Sequence, residues 1–242
     1  MTHPMSQPSI VPSLAAVYET FAISWPTVLD AMLGRVDKDV CDARLASWCD
    51  KVVRHARMDI HVRGKEHMQR GTTYVVMSNH QSHYDVPVLF HVLGANLRMI
   101  SKVELFRIPI FGEAIRQAGF IEIDRSNRAR AVESLRVAKA KLASGVHVWI
   151  APEGTRSASG ALLPFKKGGF NVALEAGLPI LPISIQGTRE ALQAKSLRTL
   201  RGARVQVTLA PPLEPTAYAH GDLKTRREAL MADVRRAIES GL

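Results

Sequence analysis

Short runs of β-branched and apolar residues alternate with longer stretches of helical periodicity along most of this chain. Seven of these runs are predicted to be strands, at residues 58–63, 73–77, 97–100, 120–123, 146–150, 180–185 and 204–209. Helical periodicity is clearest at 127–143 and 222–239. Strands that alternate with helices are typical of α/β domains. We therefore predict, over residues 58–242, an α/β domain with a largely parallel central sheet flanked by helices.

Two helical stretches, 13–33 and 37–57, precede this domain, after a start that we expect to be flexible. The first stretch is apolar and aromatic apart from three interruptions, Glu19, Pro26 and Asp30. The second ends in a basic cluster of Lys51, Arg54 and Arg57. No segment has the roughly 20 consecutive apolar residues that a spanning helix needs. The two helices either pack into the core or lie on a membrane surface. We predict that residues 1–57 form a membrane-docking segment.

The charge balance favours anionic partners. Lys and Arg number 32 against 22 Asp and Glu, a formal net charge of +10, in a chain that is 46% hydrophobic. This excess favours nucleic acid, an anionic phospholipid surface or phosphorylated small molecules. No nucleic-acid-binding motif is visible, so nucleic acid is not expected as a partner. Cys41 and Cys49 lie about 12 Å apart on one predicted helix, too far for a disulfide, which favours a reducing, cytoplasmic compartment.

Polar residues cluster after the second predicted strand, in the sequence SNHQSHYD at 78–85. On a regular helix His80 and Asp85 would not share a face, because five positions turn the chain by about 140° beyond a full circle. They meet only if His80 lies in a loop and Asp85 in the first turn of a helix over 86–93, a start that Pro87 favours. A carboxylate on one imidazole nitrogen leaves the other free as a general base. A hydrogen-bonded turn without chemistry is the alternative.

A second cluster, APEGTRS at 151–157, also follows a predicted strand. Gly154 permits close approach of a ligand to the backbone, and the guanidinium of Arg156 suits a phosphate or an oxyanion. Downstream, PFKKGG at 164–169 adds two lysines. Two interpretations are open for both segments: either they bind an anion, or they are ordinary turns whose charged side chains are solvated.

The third cluster is GFIEIDRSN at 119–127. Asp124 and Arg125 end a predicted strand there. They either contact a ligand or belong to the cap of the following helix, with Ser126 or Asn127 as the N-cap residue.

Together these clusters resemble the four motifs of the glycerolipid acyltransferase family. NHQSHYD, GFIEIDR, PEGTRS and LPILPISI (178–185) occur in the order and spacing of those motifs, and SKVELFRIPIFG (101–112) is also similar to the family. The resemblance covers roughly residues 58–212. It departs at Glu122, where the family usually has an aromatic residue, and this change concerns the shape of the acceptor site more than the mechanism.

The resemblance implies transfer of an acyl group from acyl-CoA or an acyl carrier protein thioester to the free sn-2 hydroxyl of 1-acyl-sn-glycerol-3-phosphate, giving phosphatidic acid. It implies His80 as general base and Asp85 as its partner, with no metal, no cofactor and no covalent acyl-enzyme. The substrate-binding residues it implies are Lys102, Arg125, Glu153, Gly154, Thr155 and Arg156, with 178–185 as an apolar wall. Because such an acceptor partitions into lipid, we expect peripheral or monotopic attachment at the cytoplasmic face of a membrane.

Three alternatives remain at this point. Relatives in the same family acylate other lysolipids. A metal-dependent hydrolase would use His80, His83 and Asp85 as ligands, although the other histidines are scattered and not in ligand spacing. A basic lipid- or nucleic-acid-binding module without catalysis would explain the charge but not the His–Asp pair.

Overall fold

The structure is a computed structural model that describes residues 7–124, 126–193 and 196–242. Its strands are β1 (Asp59–Arg63), β2 (Val75–Ser78), β3 (Leu97–Lys102), β4 (Ile121–Ile123), β5 (His147–Ile150), β6 (Ile180–Gln186) and β7 (Arg204–Leu209). Its helices are α1 (Val11–Met32), α2 (Lys38–His55), α3 (Asp85–Leu93), α4 (Val103–Phe106), α5 (Phe111–Gln117), α6 (Arg128–Ala143), α7 (Gly168–Ala176), α8 (Thr188–Ala191) and α9 (Leu223–Glu239). Short 3₁₀ turns lie at Lys65–His67 and Pro215–Tyr218. Every strand lies where the hydrophobic pattern predicts it.

The strands form one sheet in the order β1-β7-β6-β2-β5-β3-β4. The strands from β6 to β4 are mutually parallel, while β7 runs antiparallel to β6 and parallel to β1. The predicted α/β fold with a largely parallel sheet is therefore confirmed. The carboxyl ends of β2, β5, β3 and β4 are neighbours at one edge, and ligands of open α/β sheets bind at that edge.

The second helix, α2, belongs to the core of the α/β domain. Asp37 caps its start by accepting the amide hydrogen of Val40 at 2.8 Å. Its buried residues Cys41, Leu45 and Cys49 join the main apolar cluster of the domain. The division that we predicted between residues 1–57 and 58–242 therefore separates α2 from the core to which it contributes.

The first helix, α1, buries polar side chains and exposes apolar ones. Apart from Pro12, its buried residues Glu19, Ser24 and Thr27 are polar. Lys51 and His55 of α2 contact the carboxylate of Glu19 at 3.0 and 3.2 Å, and the hydrogen bond from Lys51 lowers the pKa of Glu19. The exposed apolar residues on and beside this helix are Ile10, Val11, Leu14, Val17, Tyr18, Phe21, Trp25, Leu29, Met32 and Leu33. Among the described helices, none is long and apolar enough to cross a bilayer.

The longer helices confirm the predictions made for them. The helix expected over 86–93 is α3, and those expected over 127–143 and 222–239 are α6 and α9. Asn127 caps α6 by accepting the amide hydrogen of Arg130 at 3.1 Å. The short helices α4, α5, α7 and α8 were not predicted.

Candidate active site

Loops that follow neighbouring parallel strands converge on one cleft at the carboxyl edge of the sheet. The loop after β2 carries His80, and the loop after β5 carries Gly154 and Arg156. The end of β3 contributes Lys102, and β4 is followed by Asp124. The polar clusters that are far apart in sequence are thus neighbours in space.

His80 and Asp85 meet in the way that their spacing required. Asp85 is the first residue of α3, and His80 lies in the loop before it. Nδ1 of His80 donates to Oδ2 of Asp85 at 2.7 Å. The aspartate side chain is fully buried, and the histidine side chain is 17% exposed. This geometry assigns the ring proton to Nδ1 and leaves Nε2 as an acceptor beside the cleft that His80 lines.

Three further donors hold the carboxylate of Asp85. Oδ2 also accepts the amide hydrogens of Gln81 and Ser82, at 2.7 and 2.9 Å. Oδ1 accepts the hydroxyl of Thr188 at 2.5 Å. A carboxylate with this many donors is held in one orientation, so the ring of His80 is held as well.

The loop after β5 fixes the backbone of His80 from both sides. The carboxylate of Glu153 accepts the amide hydrogen of His80 at 3.0 Å, and the amide of Ser157 donates to the carbonyl of His80 at 2.8 Å. The other carboxylate oxygen of Glu153 accepts from the amide of Leu163 at 2.8 Å. Burial raises the pKa of Glu153, which is 2% exposed and not among the residues that line the cleft. Glu153 therefore holds the backbone of His80 in place, and the substrate contact expected of it stays a prediction.

The end of β6 and the segment after it contact the loop after β2 that carries His80, which we call the catalytic loop of the proposed mechanism. We call residues 185–192 the brace. The side-chain amide of Asn79 donates to the carbonyl of Ile185 and accepts from its amide, both at 2.8 Å. The hydroxyl of Ser82 donates to the carbonyl of Leu192 at 2.9 Å. The apolar wall expected from residues 178–185 is not found, because β6 lies buried in the middle of the sheet and does not line the cleft.

The cleft itself is large and mostly apolar. It encloses about 660 Å³ beside His80. Its apolar lining consists of Val86, Met99, Ile100, Leu105, Ile123, Ala131, Leu135, Trp149, Ile150, Ala151 and Pro152. The ring of Trp149 meets that of His80 edge-on, with ring centroids 5.6 Å apart. A hydrocarbon chain fits such a lining.

Cationic side chains line the same cleft. They are Lys102, Arg156 and Lys166. Within the described residues, neither the Lys102 nor the Arg156 side chain forms a hydrogen bond or an ion pair. Gly154 has φ +75°, a conformation that favours glycine, and its own amide is already bonded to the carbonyl of Ala151 at 3.0 Å. The free donors are therefore the side-chain cations rather than the Gly154 amide.

A smaller, polar cavity of about 300 Å³ adjoins the cleft. The residues that line both are Lys102, Glu104, Ile123, Gly154 and Thr155. Arg107 and Asp124 line only the smaller one, and the Asp124 carboxylate accepts from the hydroxyl and the amide of Ser126 at 2.6 and 3.0 Å. Arg125, predicted to bind substrate, lies outside the described residues.

A second histidine, His83, lies at the wall of the cleft. Desolvation by the surrounding side chains, then the charge of Arg156 and the neighbouring His80, lower the pKa of His83 from its ordinary 6.5 to about 4. The ring is therefore neutral at physiological pH. The His83 side chain has no hydrogen-bond partner among the described residues.

Comparison with known proteins identifies the family. The family model described as Acyltransferase matches residues 59–186, which include β1 to β6 and most residues of the cleft. The chain belongs to the acyltransferase family. The recognition made from the four motifs is confirmed.

Curated relatives are similar over part of their length. 1-acyl-sn-glycerol-3-phosphate acyltransferase alpha of Mus musculus is 36% identical over 165 residues, 68% of this chain and 58% of the relative. 1-acyl-sn-glycerol-3-phosphate acyltransferase of Salmonella typhimurium is 32% identical over 151 residues, 62% of this chain and 60% of the relative. The chain thus spans less than two thirds of the length of these relatives.

A solved structure is similar over nearly the whole chain. The crystal structure of the 1-acyl-sn-glycerophosphate (LPA) acyltransferase PlsC from Thermotoga maritima has a TM-score of 0.76 and 26% sequence identity. The similarity covers 96% of this chain and 95% of that one. The resemblance in fold therefore extends to α1 and α2, outside the segment that the family model matches.

Two other features bear on the site of this acyltransferase. In the described part of the chain, no three His, Cys, Asp or Glu side chains lie together as metal ligands do, so the ligand set that a metal-dependent hydrolase needs is not found there. Glu122, the departure from the family pattern, is paired with Arg116 at 3.6 Å and is not among the residues that line the two cavities.

Proposed function

We propose that this acyltransferase transfers an acyl group from an acyl thioester to the free sn-2 hydroxyl of 1-acyl-sn-glycerol-3-phosphate, giving phosphatidic acid. The observation that carries the proposal is the His80–Asp85 pair at 2.7 Å, beside a cleft that is apolar and yet lined by the unpaired cations Lys102 and Arg156. Relatives that bear the name of this activity support the choice of acceptor.

In the proposed reaction, Nε2 of His80 takes the proton of the acceptor hydroxyl. The acceptor oxygen attacks the thioester carbonyl, and an ester C–O bond forms as the C–S bond breaks. The thiolate leaves and receives the proton from His80, so that the ring returns to its neutral form. The thioester is already activated, so no serine nucleophile, metal or cofactor takes part. Asp85 stabilises the imidazolium that forms in between.

The two sides of the cleft match the two ends of the substrates. Hydrocarbon chains lie against the apolar lining, where each buried CH₂ contributes about 0.8 kcal/mol. The phosphate of the acceptor lies near Arg156 and Lys102, because a guanidinium binds phosphate oxygens in a bidentate manner and an ammonium acts as a point charge. Thr155, which lines both cavities, is next to this phosphate position.

Attachment to an anionic membrane surface is the second part of the proposal. The support for it is the exposed apolar face of α1, where Tyr18 is 70% and Met32 80% exposed. Exposed apolar surface of this extent is rare on soluble monomers and marks interaction sites. Basic side chains near the surface add about 1 kcal/mol each toward anionic lipid. An acceptor that resides in the bilayer then reaches the cleft without crossing water.

An acyl-transfer assay with purified protein tests the proposed reaction. The acceptors are 1-acyl-sn-glycerol-3-phosphate and lysophospholipids with other headgroups, each with acyl-CoA and with acyl carrier protein thioester as donor. We expect phosphatidic acid as the main product. The variant His80→Ala should fold and lose about 10²–10⁴ in turnover, the usual contribution of a general base, and Asp85→Ala should lose less. Normal turnover in folded His80→Ala protein would contradict the mechanism. A preference for another lysolipid would show that 1-acyl-sn-glycerol-3-phosphate is not the acceptor.

A further inference from the structure

The hydroxyl of Thr188 contacts the partner of the proposed base. It donates to Oδ1 of Asp85 at 2.5 Å, while the other three donors to Asp85 all use Oδ2. Thr188 and Asp85 are both fully buried. A hydrogen bond to a charged group that water does not reach is among the stronger ones in proteins.

The backbone after β6 is shaped to present this hydroxyl. Gly187 has φ +89°, and a Cβ at this position would lie 1.9 Å from the carbonyl oxygen of Arg204. Only glycine fits such a turn, because a side chain would collide with the neighbouring strand. The turn makes Thr188 the first residue of α8, next to the start of α3.

Thr188 is not needed to hold the catalytic loop on the sheet. Asn79 already bonds twice to Ile185, and Ser82 bonds to Leu192. These contacts join the loop to the brace on either side of Thr188. The Thr188–Asp85 bond is thus the contact of the brace that reaches the His–Asp pair itself.

We propose that Thr188 is a positioning residue for acyl transfer, acting through Asp85 on His80. The inference rests on the proposed function of the His80–Asp85 pair. The hydroxyl fixes the plane of the carboxylate and withdraws negative charge from it, so that the imidazole keeps its orientation without holding a proton too strongly. Thr188 lines neither cavity, so it acts without touching substrate.

Loss of this hydroxyl has a defined signature. A carboxylate with one donor fewer attracts the imidazolium proton more strongly. We therefore expect the acidic limb of the kcat/KM profile to move to higher pH in such a variant. The other titratable and charged groups around the pair are His83, Glu153 and Arg156, and they are the same in every variant compared.

The experiment compares Thr188→Val, which keeps the shape, with Thr188→Ser, which keeps the hydroxyl. A matched control is Ser184→Ala on β6, whose buried hydroxyl donates to the carbonyl of Ile238 at 2.6 Å and not to the site. We expect Thr188→Val to lose roughly 10–100-fold in kcat, the size of a hydrogen bond to a charged group, with little change in KM and with the shifted acidic limb. Thr188→Ser should recover most of both, and Ser184→Ala should show neither effect.

Several outcomes would overturn the inference. One is a Thr188→Val protein with the kcat and pH profile of the Ser184→Ala control. Another is a rate loss without movement of the limb and without recovery in Thr188→Ser, which means that the residue is only structural. If Thr188→Val does not fold, Thr188→Cys carries the test, because a thiol is a weaker donor and should give an intermediate limb; an unshifted limb counts against the inference.

The proposed function fails in a different way. Normal turnover in His80→Ala would show that His80 is not the base, and the inference about Thr188 would then have no basis. An inactive His80→Ala beside an unaffected Thr188→Val leaves the proposed function intact and refutes only the role of Thr188.

Discussion

At the scale of single residues, the cleft separates two imidazoles by their environments. His80 has a buried carboxylate on Nδ1, which suits it to accept and release a proton. His83 lies nearby without a carboxylate partner, and desolvation and then the cation Arg156 lower its pKa and disfavour its charged form. Of these two histidines of the sequence HQSH, only His80 has the carboxylate partner that the proposed base needs.

The pH dependence of catalysis distinguishes them. Because the pKa of His83 is lowered to about 4, this ring is neutral from pH 5 upward and contributes no ionisation between pH 5 and 8. We therefore expect His83→Gln to leave the acidic limb of the kcat/KM profile in that range where it is, with a much smaller rate loss than His80→Ala. Measured profiles of the two variants decide the matter. A limb that moves in His83→Gln would assign the ionisation to His83.

Arg156 is predicted to recognise the acceptor phosphate. Arg156→Ala should lower kcat/KM about 10–100-fold for the phosphorylated acceptor, since hydrogen bonds to charged groups contribute about 1.5–3 kcal/mol. Arg156→Lys should restore this only in part, because an ammonium does not reproduce the planar fork. The measurement compares the phosphorylated acceptor with a phosphate-free analogue.

The control for lost positive charge is Arg136→Ala, since Arg136 is exposed on α6, pairs with Glu133 and does not line the cleft. An equal loss with both acceptors would give Arg156 a structural role instead.

Contacts between residues close in sequence could be predicted at the site, whereas contacts between residues far apart in sequence could not. The His80–Asp85 contact spans five positions, so local geometry alone predicts it. Thr188 and Asn79 contact partners 103 and 106 positions away, and no local pattern predicts these two contacts. Glu153 belongs to the motif PEGTRS, but only the structure shows that both of its carboxylate oxygens accept backbone amides.

At the scale of elements, length decides what the pattern predicts. The strands are runs of β-branched and apolar residues and the long helices have two or more turns of apolar periodicity, so their positions follow from the sequence pattern. The helices α4 and α8 have four residues each, about one turn, and a single turn has no periodicity to detect. The first residues of α7 are two glycines, which are poor helix formers, so tertiary packing determines this helix.

The polarity of α1 gives the membrane proposal a sharp test. We predict that replacing Phe21 and Trp25 by serine strongly reduces sedimentation of the protein with anionic liposomes, because each large apolar side chain contributes about 1.5–3 kcal/mol when fully buried. These two residues are 45% and 55% exposed, so folding should not depend on them. Deleting residues 1–57 would be a poorer test, since α2 belongs to the core.

The matched control replaces Val132 and Leu197, which are 61% and 68% exposed outside α1. This variant should sediment as the unmodified protein does. Added salt should weaken the part of the binding that depends on charge and leave the apolar part. If the unmodified protein stays in solution with anionic liposomes at low salt, the apolar face of α1 has another role.

At the scale of the whole molecule, the sheet and the net charge act together. The cleft opens at the carboxyl edge of parallel strands, where the loops bring Lys102, Arg156 and Lys166 to one place. A net charge of +10 attracts anionic donors, acceptors and lipid surfaces over a Debye length of about 8 Å at physiological salt. The sequence predicts this sign and this edge, whereas the depth of the cleft depends on side-chain packing that no local pattern contains.

The pairing of β1 with β7 also determines the order in which the molecule can assemble. Synthesis delivers the N-terminal segments first, yet β1 hydrogen-bonds to a strand at Arg204–Leu209. This edge of the sheet therefore closes only after β7 has left the ribosome. The helix α1, with its outward apolar face, is available long before that. Under the proposed membrane attachment, a nascent chain near a lipid surface would be held there by α1 before β7 completes the sheet.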